Sequence, residues 1–184
     1  MTTATLATAL QNSDLLFDRQ QLLQAIAAMG ADIDRAYQGV SQPPVFLTVM
    51  NGGLILAGHL ALACQTDFLF DYIHATRYRS GTQGHDLEWV STPRTVITGR
   101  EVLVVDDIFD EGRTLQAIVA WCQERGAARV RLAVLCEKAH QRRVPKLKSD
   151  FLGVTVPDRY VYGFGMDFEE QGRNLDGIYA LKEA

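Results

Sequence analysis

The 184-residue chain is 47% hydrophobic and 22% charged, an ordinary globular balance with enough apolar content to bury a core without staples. Its net charge of −4 argues against a general nucleic-acid binder, and no apolar run approaches membrane-spanning length. Cys64, Cys122 and Cys136 stand in unrelated contexts, which excludes a disulfide framework, and neither they nor His59, His74, His85 and His140 have zinc-site spacing.

The opening Met-Thr-Thr-Ala-Thr-Leu lacks the basic segment of a signal peptide, so a soluble, cytoplasmic protein is expected. The first ten or so residues are small and aperiodic and are expected to lie loosely on the surface. Asp18, with Gln21 three positions on, forms a capping box, and Phe17 before it could staple the helix. Leu22, Ile26, Met29 and Ile33 then recur at helical spacing, which predicts one buried face. Pro43 and Pro44 end the connection to a strand over Val45–Met50. Gly52-Gly53 breaks that strand, a buried helix is expected over Leu54–Ala63, and a second strand over Asp67–Thr76. From Arg77 to Leu87 the chain turns polar and glycine-containing, which predicts a mobile loop, with a short strand at Glu88–Val90. A buried strand follows at Val102–Val105, and then a helix over about Thr114–Arg125 with Leu115, Ile118 and Trp121 inward and Gly126 ending it. Val130–Leu135 reads as another apolar strand, and the tail from Lys138 as short strands and turns. Strands alternating with helices imply a parallel twisted sheet with helices on both faces.

Residues 102–115, Val-Leu-Val-Val-Asp-Asp-Ile-Phe-Asp-Glu-Gly-Arg-Thr-Leu, carry the strongest chemical signal. A β-branched strand runs into two adjacent carboxylates, and a short Gly- and Thr-containing loop then opens a helix. Such a loop presents backbone N–H groups to an anion at a helix N-terminus. The acids lie where they could grip hydroxyls or a metal-bound sugar. The run is not a P-loop, because it has no Gly-Lys-Ser/Thr, and it lacks the Gly-x-Gly-x-x-Gly of a dinucleotide fingerprint.

This segment resembles the 5-phosphoribosyl-1-pyrophosphate (PRPP) motif of type I phosphoribosyltransferases. Met50-Asn51-Gly52-Gly53 is similar to that family's pyrophosphate loop, and the segment from Phe151 to Asp167 resembles the hood of its hypoxanthine–guanine members. The resemblance spans roughly Leu16 to Tyr179. It implies the type I phosphoribosyltransferase fold with a small C-terminal hood, in one domain with a core over about 16–137 and a hood over about 138–184. It further implies purine salvage: PRPP and hypoxanthine or guanine give IMP or GMP and pyrophosphate, with Mg²⁺ as cofactor.

By resemblance, Asp106, Asp107, Asp110, Glu111, Gly112, Arg113 and Thr114 bind PRPP, and Asp110 is the general base. Met50, Asn51, Gly52, Gly53 and Arg173 bind pyrophosphate, with a cis peptide between Met50 and Asn51. Arg77 and Tyr78 open the flexible loop that excludes water over the reacting centre. Lys138, Tyr160, Val161 and Asp167 bind the purine, Lys138 through a donor that favours a 6-oxo over a 6-amino base. Mg²⁺ would meet Asp167, Asp106 and Asp107, directly or through water. The chain departs from the family at Asn51, where many purine members have Lys, and at Arg77, where Ser is common. The resemblance also implies a homo-oligomer, dimer or tetramer, and neither nucleic-acid nor membrane partners. Two other readings remain open on the sequence: a xanthine phosphoribosyltransferase, and a regulator that senses PRPP or nucleotides on the same fold.

Overall fold

The computed structural model describes residues 5–77 and 87–182. Its elements run α1 (Leu6–Gln11), β1 (Ser13–Phe17), α2 (Arg19–Ala36), β2 (Val45–Met50), α3 (Leu54–Ala63), β3 (Leu69–Arg77), β4 (Leu87–Ser91), β5 (Glu101–Phe109), α4 (Arg113–Glu124), β6 (Arg129–Lys138), β7 (Phe151–Val156), β8 (Val161–Tyr162) and β9 (Ile178–Leu181). The capping box forms as expected: Gln21 N–H donates to Asp18 Oδ1 and Asp18 N–H to Gln21 Oε1, each at 2.9 Å. That reciprocal pair satisfies two N–H groups which would otherwise lack partners at the start of α2.

Six strands form the main sheet in the order β4-β3-β2-β5-β6-β7, all parallel except the antiparallel edge strand β4. Strand alternation sorts the core into two layers. Phe46, Leu103, Val105, Ala133 and Leu135 point to the face covered by α2 and α3. Val45, Leu47, Val49, Val102, Val104, Leu132 and Val134 point to the face covered by α4, where Leu115, Ile118 and Trp121 meet them. Both faces of β2, β5 and β6 are therefore apolar, the pattern of a parallel sheet covered on both sides. A one-residue slip would exchange the two sets and undo both layers. Strand order reverses between β2 and β5, and in open α/β sheets the crevice at such a switch point, beyond the carboxyl ends of the strands, is where ligands bind.

Several expectations need correction. Residues 5–11 are not loose: Thr5 caps α1, and Ala9 is buried against Tyr162 and Phe168. A six-residue helix is too short to display a period, and tertiary burial holds it in place. β5 runs on through Asp106 and Asp107 to Phe109, so the acid pair lies within the strand. Lys138 is the last residue of β6 instead of following it. Phe151–Val156 pairs with β6 as the edge of the main sheet, a strand that the reading of short strands and turns did not place there. β3 begins two residues later than expected, because Asp67 and Phe68 still belong to the turn after α3.

The hood is a three-stranded sheet, β1-β9-β8, and so recruits Ser13–Phe17 from the other end of the chain. Arg159 locks it. Its guanidinium donates to Asp14 Oδ2 at 2.8 Å and to the carbonyls of Ala180 and Leu181. Val161, Phe164, Met166, Ile178 and Ala180 bury their side chains in the α2–α3 layer, which seats the hood on that side of the sheet.

Candidate active site

Two loops meet at the switch point. The first, Met50–Gly53, links β2 to α3, and its Met50–Asn51 peptide bond is cis, as expected. Gly53 N–H donates to the Val49 carbonyl at 2.9 Å, which tightens the turn. A Cβ on Gly52 would overlap the Asp107 carboxylate, so only glycine lets this loop lie against the acid pair of β5. The second loop, Asp110–Gly112, links β5 to α4. Gly112 adopts φ 83° and ψ 10° immediately before the helix, in the left-handed region. A Cβ there would run into the Phe109 ring. The N-terminus of α4 receives no side-chain cap, which leaves its first N–H groups and its dipole available to an anion. We expect Gly112→Ala to cost about 1–3 kcal/mol through backbone strain and the ring contact, read as a lower urea midpoint with an unchanged slope.

Asp106 and Asp107 are each only 8% exposed, although both are acids. Burial pushes both carboxyls above their ordinary range, and for Asp106 the charge of Asp107 adds to it. The Asp107 N–H donates to Asp106 Oδ1 at 3.0 Å. Two buried carboxylates side by side are costly alone and suit a ligand that brings hydroxyls or positive charge.

Asp110 differs. Lys138 Nζ lies 2.9 Å from its Oδ2, and His140 Nε2 lies 2.6 Å from its Oδ1. Burial opposes ionisation, but the hydrogen bonds and charges of Lys138 and His140 outweigh it and hold this carboxyl below its ordinary range. Glu111 pairs with the Arg113 Nε at 2.8 Å, which ties the loop to the first turn of α4. Thr114 is half-buried in that turn. A cleft of about 450 Å³ opens beside it, lined by Arg113, Thr114, Arg142 and Arg143 among others.

The hood closes the other side. A Cβ on Gly165 would overlap the Gly52 carbonyl, so the hood rests directly on the first loop. Arg173 Nη1 donates to the Gly165 carbonyl at 2.9 Å, and Nη2 pairs with Asp167 Oδ1 at 2.8 Å. The positive charge of Arg173 also favours ionisation of Asp107, against the burial that raises it. Tyr160 is 49% exposed, with its hydroxyl donating to the Asp167 carbonyl at 3.2 Å and its ring edge-on to Phe168. Val161 is buried, with its side chain in the core layer beneath the hood. Among the described residues no cluster of three or more His, Cys, Asp or Glu could hold a metal. Arg77 ends β3, paired with Leu87, whereas Tyr78 and the rest of the expected flexible loop lie outside the described residues.

Sequence reading missed His140. No local pattern announced it, because the chain bends after β6, where the His140 N–H turns back to donate to the Lys138 carbonyl at 3.0 Å. It also missed the Arg142–Asp158 pair, at 2.6 and 2.7 Å, which joins the segment after β6 to the start of the hood.

Residues 12–169 match the model of the phosphoribosyl transferase domain. The chain is 31% identical over 170 residues to the hypoxanthine-guanine phosphoribosyltransferase of Streptococcus pneumoniae, covering 92% of this chain and 93% of that protein. Among solved structures, a hypoxanthine phosphoribosyltransferase from Staphylococcus aureus aligns with a TM-score of 0.84 at 26% identity, over 92% of this chain and 91% of the other. A hypoxanthine-guanine-xanthine phosphoribosyltransferase aligns with a TM-score of 0.82 at 28% identity, over 92% and 97%. Likeness of this extent, in sequence and in fold together, means that the chain belongs to the phosphoribosyl transferase family, among its hypoxanthine-guanine phosphoribosyltransferases.

Proposed function

We infer that this protein transfers the 5-phosphoribosyl group of PRPP to N9 of hypoxanthine or guanine, giving IMP or GMP and pyrophosphate in purine salvage. The observation that carries this reading is the junction at the switch point, where the Gly52 loop lies against Asp107 while the Gly112 loop opens α4 beside it. One loop suits pyrophosphate, the other the 5-phosphate, and the acid pair between them suits the ribose diol.

In this reading N–H groups of Asp110–Thr114 and the Thr114 hydroxyl hold the 5-phosphate, with Glu111 and Arg113 shaping the loop. Asp106 and Asp107 hold the ribose hydroxyls, and their negative charge steadies C1 as it becomes cationic. Met50, Asn51, Gly52, Gly53 and Arg173 hold the pyrophosphate. The base stacks on the exposed face of Tyr160, its edge meets the Val161 backbone, and Lys138 Nζ donates to its 6-oxo group. The N9 lone pair attacks C1 as the C1–O bond breaks, and the bonding electrons leave on a pyrophosphate oxygen. The N7 proton passes to Asp110 Oδ2. Arg77 and Tyr78 would begin the cover that keeps water from C1.

Mg²⁺ fits the donors present, because it is typically bound by one or two carboxylates plus substrate oxygens instead of an all-protein cage. Asp106, Asp107 and Asp167 are the candidates, and when bound the ion would offset charge on the pyrophosphate. Three free thiols support a reducing, cytoplasmic compartment, with Cys64 and Cys122 pushed up to about 12 by burial. Exposed Phe70, Tyr72 and Val90 on β3 and β4 support a homo-oligomer, dimer or tetramer. No helix among the described residues is long and apolar enough to cross a membrane.

The test is a spectrophotometric assay with PRPP and Mg²⁺ against hypoxanthine, guanine, xanthine and adenine separately. Turnover of the first two, lost on chelation, is expected. Turnover of adenine with neither of them would overturn the reading. The named activity of the xanthine-accepting structural relative makes xanthine the one further base with support. Xanthine turnover beside the other two would widen the specificity without changing the mechanism.

A further inference from the structure

The two oxygens of Asp110 have different partners, and the proposed reaction needs only one of them to change. Lys138 occupies Oδ2 and His140 occupies Oδ1. When a base binds, Lys138 turns to the 6-oxo group and Oδ2 must receive the N7 proton. Were Lys138 the only anchor, its departure would leave the carboxylate free to rotate at the moment its aim matters.

His140 is built to prevent that. Its side chain is 4% exposed. Its Nδ1 accepts the Arg142 backbone N–H at 3.0 Å, so the ring proton sits on Nε2, the atom facing Asp110 Oδ1. The imidazole is therefore oriented at both nitrogens. Arg142 in turn grips both oxygens of Asp158 with its guanidinium, which fixes the segment against the hood. A hydrogen bond to a charged group is worth more than a neutral one and constrains direction as well as energy.

We propose that His140 is a positioning residue for the transfer: it holds Asp110 by Oδ1, keeping Oδ2 aimed at the base after Lys138 has moved. The role rests on the purine transfer reading above. Lys138 and His140 act on Asp110, whose charge in turn acts on Arg142 and Cys136.

A matched pair of variants tests this in the intact enzyme with hypoxanthine, PRPP and Mg²⁺. The amide of His140→Gln reaches the Nε2 position and can donate to Asp110. That of His140→Asn reaches only the Nδ1 position, so it keeps the Arg142 contact and loses Asp110. His140→Asn is expected to lower kcat about 10- to 100-fold, the weight of one hydrogen bond to a charged group. The KM for PRPP should stay within about twofold, as expected when the lost contact matters chiefly in the transition state. Losing the donor also moves the acid limb of kcat/KM to higher pH, because Asp110 then protonates more readily. His140→Gln should recover kcat to within about threefold of wild type. Asn at wild-type kcat, or equal losses in both variants with no movement of the acid limb, would overturn the role and leave the transfer reading intact. An inactive wild type would overturn both.

Discussion

Asp110→Asn is expected to lower kcat for hypoxanthine and guanine by about 10²–10⁴-fold, the usual weight of a positioned acid–base group. Asn preserves size but not function. Its amide NH₂ must face either Lys138 or His140, both donors, where the carboxylate accepted from each. The variant therefore loses the base and disorders its surroundings. In the free wild-type enzyme Asp110 stays ionised down past the ordinary Asp value of about 3.9, because the Lys138 and His140 contacts outweigh its burial. The acid limb of kcat/KM that belongs to Asp110 should accordingly lie below that value. Activity within a factor of about three of wild type would remove Asp110 from the role of base.

Asp106→Asn is expected to do two opposite things. Folding raises the Asp106 carboxyl pKa, through burial and then through Asp107. The contribution of such a group to stability is fully present below its unfolded value of about 3.9 and is lost as pH rises through the folded value. At pH 7 the ligand-free enzyme bears that loss, and a neutral amide removes it. Asn can still accept the Asp107 N–H through Oδ1, so the local geometry survives. We expect Tm at pH 7 to rise by about 2–4 °C, the shift that roughly 1 kcal/mol produces in a domain of this size. The gain should vanish below about pH 4, where the wild-type carboxyl is protonated in both states. Turnover should fall by about 10²–10³-fold, since a preorganised charge beside the reacting carbon is gone. A variant that is less stable at pH 7 would mean that another group neutralises the pair before substrate arrives. Instability stored in a binding site is a common trade between function and stability.

How much of this was legible depended on whether the signal was local. The capping box at Asp18 and Gln21 rests on residues three apart, and Leu54–Ala63 is bounded by its own glycines and end residues. The acid pair, the Gly112 turn and the Lys138 position likewise lie in one short run or at a strand end. What escaped the sequence was decided by distant partners. β7 joins the main sheet because Ala133–Lys138 offers it an edge, which no property of Phe151–Val156 reveals. α1 and β1 are ordered by Tyr162, Phe168 and β9, more than 140 residues away in the chain. His140 carried no sequence signal beyond its lack of a ligand pair until the fold put Asp110 against it.

The pairing of Ser13 with Leu181 has a consequence for how the enzyme is made. During synthesis β2, β5 and α4 emerge with their neighbours and can begin to assemble the half of the site proposed to hold PRPP. β1 has been made long before, yet among the described residues its only strand partner is β9. It must wait, unpaired, until nearly the whole chain described here has left the ribosome. Closing so long a loop is entropically slow, and contacts of that separation form late. The half of the pocket proposed to hold the purine is thus the last part to appear. A nascent or truncated chain lacking β9 would carry a sugar-phosphate cradle with no place to hold a base.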